Sequence, residues 1–221
     1  MKRVHKFTKN WLLSLFFLYL LSASAFADQN DVRLAELFRS LKSTESVSRA
    51  SIFESEIWHI WMEHYDPEVE SAMFQGVEAM KLQQFEQAFG HFSFLIKLAP
   101  DYAEGWNKRA TVLYLMGRFK ESEADVMNTL ELEPRHFGAL AGQGLIKIAL
   151  QDWTGAIYFL ESALKINPHM HGVIMNLKYA RKKQEELLKH ETCLQLFKKL
   201  ASFFVIFCFY FLRLHLQIKM T

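Results

Sequence analysis

Three prolines, Pro100, Pro134 and Pro168, stand 34 residues apart, and each closes a segment of the same pattern. A fixed period of that length marks a chain built from helix–turn–helix units, each burying a face only against its neighbours. Counted from Val69, the units are 69–102, 103–136 and 137–170, and they align without insertion or deletion.

The units agree where helices must pack. The eighth position is small (Gly76, Ala110, Gly144) and the twenty-fourth is bulky and apolar (Phe92, Val126, Leu160). The seventeenth is a large aromatic (Phe85, Phe119, Trp153) and the twentieth is small (Ala88, Ser122, Ala156). Gly117, with Gln83 and Gln151 as its equivalents, falls in the turn between paired helices. Proline lacks an N–H and disfavours helical geometry in the residue before it, so each one stops a second helix and opens the next unit.

This pattern resembles the tetratricopeptide-repeat (TPR) family, most fully in the middle unit with Trp106, Ala110, Gly117, Phe119 and Pro134, and in the third with Ala156, Ala163 and Pro168. The resemblance covers 102 of 221 residues. It implies an all-α, right-handed α-solenoid whose first helices line a concave groove, reached by unit positions 2, 5, 9, 12 and 13. Carried over, these are Glu70, Met73, Val77, Met80 and Lys81 in unit one, and Glu104, Asn107, Thr111, Tyr114 and Leu115 in unit two. Unit three supplies Gly138, Ala141, Leu145, Ile148 and Ala149. The implied ligand is a peptide or helix of another protein. Chaperone-binding members hold a terminal carboxylate with lysine and asparagine where this chain has Met73 and Val77, so an apolar segment fits better here. Part of the stripe could equally be core. Position 7, usually leucine in the family, is Gln75, Arg109 and Gln143, which reads either as a hydrogen-bonded ladder or as a solvated groove edge.

Outside the array, segment 28–66 reads as a helical hairpin stacked on the first unit, with Leu34, Leu37, Phe38 and Leu41 on one stripe. Its second helix carries Val47, Ala50, Ile57, Ile60 and Trp61 toward one side, with Thr44 or Ser46 as its cap. Segment 171–190 begins like a fourth unit and turns charged, as a capping helix should. The tail, 191–221, holds a phenylalanine-rich apolar run at 200–212 flanked by Lys198, Lys199 and Arg213. Three readings of that run stay open: a membrane-associated anchor, a partner-binding helix, or a tail outside the fold. A helix of thirteen residues spans about 20 Å against a hydrocarbon core of about 30 Å.

The first 27 residues pair Lys2, Arg3, Lys6 and Lys9 with an apolar run from Trp11 to Leu21 and an Ala25-Phe26-Ala27 ending. That is the layout of a secretory signal peptide and points to export, in a bacterium to the periplasm. Without it the chain carries 22 basic against 24 acidic groups, and residues 28–180 hold a net charge of −7. An acidic solenoid is a poor nucleic-acid binder. Cys193 and Cys208, on one helix, would lie about 22 Å apart, beyond disulfide reach.

No catalytic, cofactor or metal constellation emerges, and no small-molecule substrate is expected. His59 and Glu63 share a helix face, but His64 is rotated away and the order does not match a zinc-protease helix. His169 and His171 straddle a turn. The sequence therefore reads as a non-catalytic interaction scaffold of the cell envelope, or else as a membrane-tethered subunit of a larger envelope complex.

Overall fold

Some of the helices start where a polar side chain serves a free N–H group. A computed structural model describes residues 28–218; residues 1–27, on which the signal-peptide reading falls, and residues 219–221 lie outside them. Among the described residues there are nine helices and no strand. They are α1 (Leu34–Ser43), α2 (Val47–Met62), α3 (Pro67–Lys81), α4 (Phe85–Leu98), α5 (Ala103–Leu115), α6 (Phe119–Leu132), α7 (Phe137–Ala149), α8 (Trp153–Ile166) and α9 (His171–Ile218). The Ser46 side chain accepts from Arg49 N ahead of α2. Asp66 accepts from Glu68 N with Pro67 in the first turn of α3. Asp152 accepts from Gly155 N at the start of α8.

Within each repeat the turn is closed the same way. Gln84, Arg118 and Asp152 donate their backbone N–H five residues back, to Ala79 O, Leu113 O and Lys147 O. Gln83, Gly117 and Gln151 sit just before them with φ of 58°, 74° and 58°. This left-handed C-terminal cap satisfies carbonyls that the helix end would leave open.

The chain divides into two compact units, one ending at Ala139 and one beginning at Leu140. In the first, α3 pairs with α4 and α5 with α6, and α4 packs on α5. Val69, Ala72, Met73, Phe92, Leu95 and Val112 form its core. A Cβ on Gly76 would lie 2.5 Å from the Phe92 ring, so the bare backbone is what lets that ring in. In the second unit α8 packs on α9, and a Cβ on Gly144 would meet Leu160 Cδ2 at 2.5 Å. Small position 8 against bulky position 24 is thus the packing rule of both repeats, and burying a side chain such as Phe92 contributes about 1.5–3 kcal/mol.

One expectation comes out differently in form. The cap at 171–190 and the following tail are one continuous helix, α9, 48 residues long. No described helix is long and apolar enough to cross a membrane. The position 7 residues differ in their surroundings. Gln75 is exposed and donates to Ser71 Oγ on its own helix, whereas Arg109 forks onto Asp125 of α6 at 2.7 and 2.8 Å beneath the Trp106 ring. Gln143 is buried.

Candidate functional site

In hairpin α1–α2 the two helices pack on each other, and Leu34, Leu41, Ala50 and Ile57 are buried. The C-terminal end of α2 then reaches past the first repeat to the second, where α2 meets α5. Trp58 and Trp61 lie one helical turn apart, as the i, i+3 spacing allows. The Trp61 ring stacks on His136 with centroids 4.1 Å apart and planes 9° apart. Trp58 meets His136 and Phe137 edge-on, each at 5.4 Å, and its ring tip would lie 2.5 Å from a Cβ on Gly138. Tyr102 donates its hydroxyl to Trp61 O at 2.8 Å. Gln29 ties down the chain ahead of α1, donating to Asp101 O and accepting from Ala103 N.

Beneath the tryptophans is a buried charge cluster. Glu104, in the first turn of α5, is 1 % exposed. Its Oε2 accepts from Asn107 Nδ2 at 3.0 Å and lies 2.8 Å from His136 Nε2. His136 Nδ1 accepts from Ala139 N, which leaves the proton on Nε2, so His136 donates to Glu104. Glu104 Oε1 lies 2.9 Å from Lys108 Nζ, an ion pair without hydrogen-bond alignment. Burial pushes the Glu104 carboxyl up, but the Lys108 ammonium and the His136 N–H outweigh it and hold the group below its ordinary range. Its place at a helix N-terminus favours the anion further. Lys108 Nζ also lies over the Trp58 ring at 5.6 Å. Trp61 Nε1 is buried without a hydrogen-bond partner.

The residues assigned to a groove from the repeat register fall into a gradient along the first helices. At position 5, Met73 is core and Asn107 is buried in the charge cluster. Farther along, Val77 and Met80 are partly buried against the core of the first repeat. Thr111 is exposed and bonded to Asn107 O, and Tyr114 is half-buried with its ring 5.6 Å from Phe119. In the second compact unit Ala141, Leu145 and Ile148 are each half-buried. Positions 9 and 12 thus keep open surface that position 5 of the first two repeats lacks.

Sequence reasoning missed Trp58, Tyr102 and His136. Tyr102 and His136 each stand two residues after a repeat proline, where they read as boundary residues. The only signal at Trp58 is its helical spacing from Trp61.

The triad His59, Glu63 and His64 does not converge. His59 Nε2 pairs with Glu63 Oε1 at 2.8 Å on the surface, whereas His64 turns inward between Tyr65 and Tyr102 and accepts from Asp66 N. Among the described residues no group of three or more His, Cys, Asp or Glu is placed to hold a metal ion.

No family model matches the chain. A TPR repeat-containing protein of Rhizobium etli is 36 % identical over 114 residues, covering 52 % of this chain and 56 % of that protein. The Hsp70-Hsp90 organizing protein of Triticum aestivum is 30 % identical over 113 residues, or 51 % of this chain and 19 % of that one. The chain thus spans about half, or less, of the curated relatives it matches. Among solved structures, the TPR2B-domain–pHsp70 complex of yeast Sti1 aligns with TM-score 0.51 and 22 % identity over 53 % of this chain and 99 % of that domain. The Sgt2 TPR domain of Aspergillus fumigatus aligns with TM-score 0.54 and 19 % identity over 56 % and 83 %. The first TPR of Spaghetti (RPAP3), bound to the HSP90 peptide SRMEEVD, gives 0.51 and 19 % over 55 % and 94 %. These likenesses establish the fold as all-α helical hairpins of the TPR type.

Proposed function

We propose that the chain is a non-catalytic protein-interaction scaffold of the cell envelope, holding a peptide or helix of a partner against the first helices of its repeats. The observation that carries this reading is the set of incompletely buried apolar side chains at one register position, Met80, Tyr114 and Ile148. In a fold whose solved likenesses include peptide complexes, apolar surface repeated in register suits an extended or helical guest. The ligand is apolar rather than a terminal carboxylate, because Met73 is core and Glu104 places an acid in the second repeat. Export rests on the basic, apolar and Ala-x-Ala pattern of the first 27 residues.

The test is capture of a partner from envelope extract by the mature chain. Tyr114→Ala with Leu145→Ala should lose the partner while keeping its helical circular dichroism; equal recovery rejects the groove.

A second reading is a membrane-tethered subunit attached through the tail. It is favoured by the continuation of α9 with Leu196, Leu200 and Phe204 exposed.

A further inference from the structure

The second repeat already holds a helix at the groove end of α5. Its occupant, α2, comes from outside the periodic array, and it reaches Lys108, His136 and Gly138, the last of which the register assigns to ligand contact. Three features make it resemble a bound guest more than a structural layer. First, it is anchored by an aromatic pair at i, i+3, Trp58 and Trp61, the way an amphipathic helix docks in a groove. Gly138 is shaped for that anchor, since a Cβ there would lie 2.5 Å from the Trp58 ring. Second, the fit is incomplete: Trp61 Nε1 is buried with no partner, a cost that a better-matched guest avoids. Third, α1 and α2 pack on each other and join the repeats through the four-residue link 63–66, in which Tyr65 is 70 % exposed.

We propose that hairpin α1–α2 is a displaceable resident of the groove, which closes the second repeat until a partner helix bearing an aromatic pair replaces Trp58 and Trp61. This rests on the scaffold reading above and adds the chemistry of the guest. Glu104 beneath the aromatic pair selects a guest that brings an indole N–H or a cation and rejects one with an acid at that point. Residues 63–66 are the pivot. The apparent affinity for any guest is reduced by the fraction of molecules in which the hairpin is seated.

The test uses the full chain and a fluorescent synthetic peptide of residues 28–62 as the probe. Intact protein should take up the peptide poorly. The Trp58→Ala chain, with its own hairpin loosened, should bind it about tenfold more tightly, and a peptide carrying the same substitution should bind about tenfold more weakly. Equal peptide binding by the two chains overturns the proposal. Because a variant can fail by misfolding, hydrogen exchange on the unaltered protein gives an independent reading. Amides of α1 and α2 should exchange as one group, faster than those of α5; exchange in step with α5 marks the hairpin as fixed structure and overturns the proposal. If two copies exchange hairpins, peptide uptake should be accompanied by dimer dissociation, which supports the same docking. Partner capture that depends on Tyr114 and Leu145 yet is unchanged by Trp58→Ala would end the gate and leave the scaffold standing.

Discussion

Glu104 is a groove-lining acid by register and a buried anion by structure. The carboxylate is tolerated because Lys108, four residues on, and His136, from the next inter-repeat loop, both face it. Its folded pKa lies below the ordinary 4.5, so its stabilisation is fully present above that value and is lost as pH falls through the lower folded one. Tyr102 runs the other way. Burial first, then nearby carboxylates led by Glu104, raise its phenol far above the ordinary 10.0. Its contribution is present below that value and is lost as pH rises beyond it. Urea titrations across pH should show both limbs. Tyr102→Phe should remove the alkaline one and, by deleting the bond to Trp61 O, cost about 1 kcal/mol at neutral pH. Gln83 and Gln151 do with φ of 58° what Gly117 does at 74°, and a side chain in that region carries a penalty. Gln151→Gly should therefore leave stability unchanged or raise it by about 0.5–1 kcal/mol, as thermal melts will read. The turn was legible because position 15 repeats three times. The burial of Glu104 was not, because no other unit repeats the Glu104–His136 pair and so no period marks it.

At the scale of the element, the small-against-bulky rule was readable because both partners lie in the same 34-residue unit and recur together. The structure gives it distances: Gly76 under Phe92 and Gly144 under Leu160. Gly144→Leu should overpack the contact and lower stability by about 1–3 kcal/mol; an unchanged melting temperature would show the register to be wrong. Helix α9 shows the limit of such reading. Charge and apolar content change sharply near residue 190, which suggests two segments. Yet no glycine or proline follows Gly172, so nothing in the backbone ends the helix, and it runs on to Ile218. Composition reports what a helix faces; breakers report where it stops.

For the whole molecule, the question is what lies beyond the repeats at either side. The tether reading makes a direct prediction. The full chain should stay in the membrane pellet through a carbonate wash, and deletion of 200–212 should release it; release of the full chain itself would discard the tether. Taken alone, the sequence determined the period, the helix pairs, the place of the turns and the small and bulky character of positions 8 and 24. All of these are set by contacts within one unit or between adjacent units, and repetition makes them visible. Only the tertiary structure decided where the hairpin goes. A segment without a period carries no register to say which surface it meets, so Trp58 and Trp61 found their place on His136, Phe137 and Gly138 by shape and by the burial of aromatic area. The same reason separates the residues of a groove, which a register can name, from the state of that groove, which depends on what else in the chain can fill it.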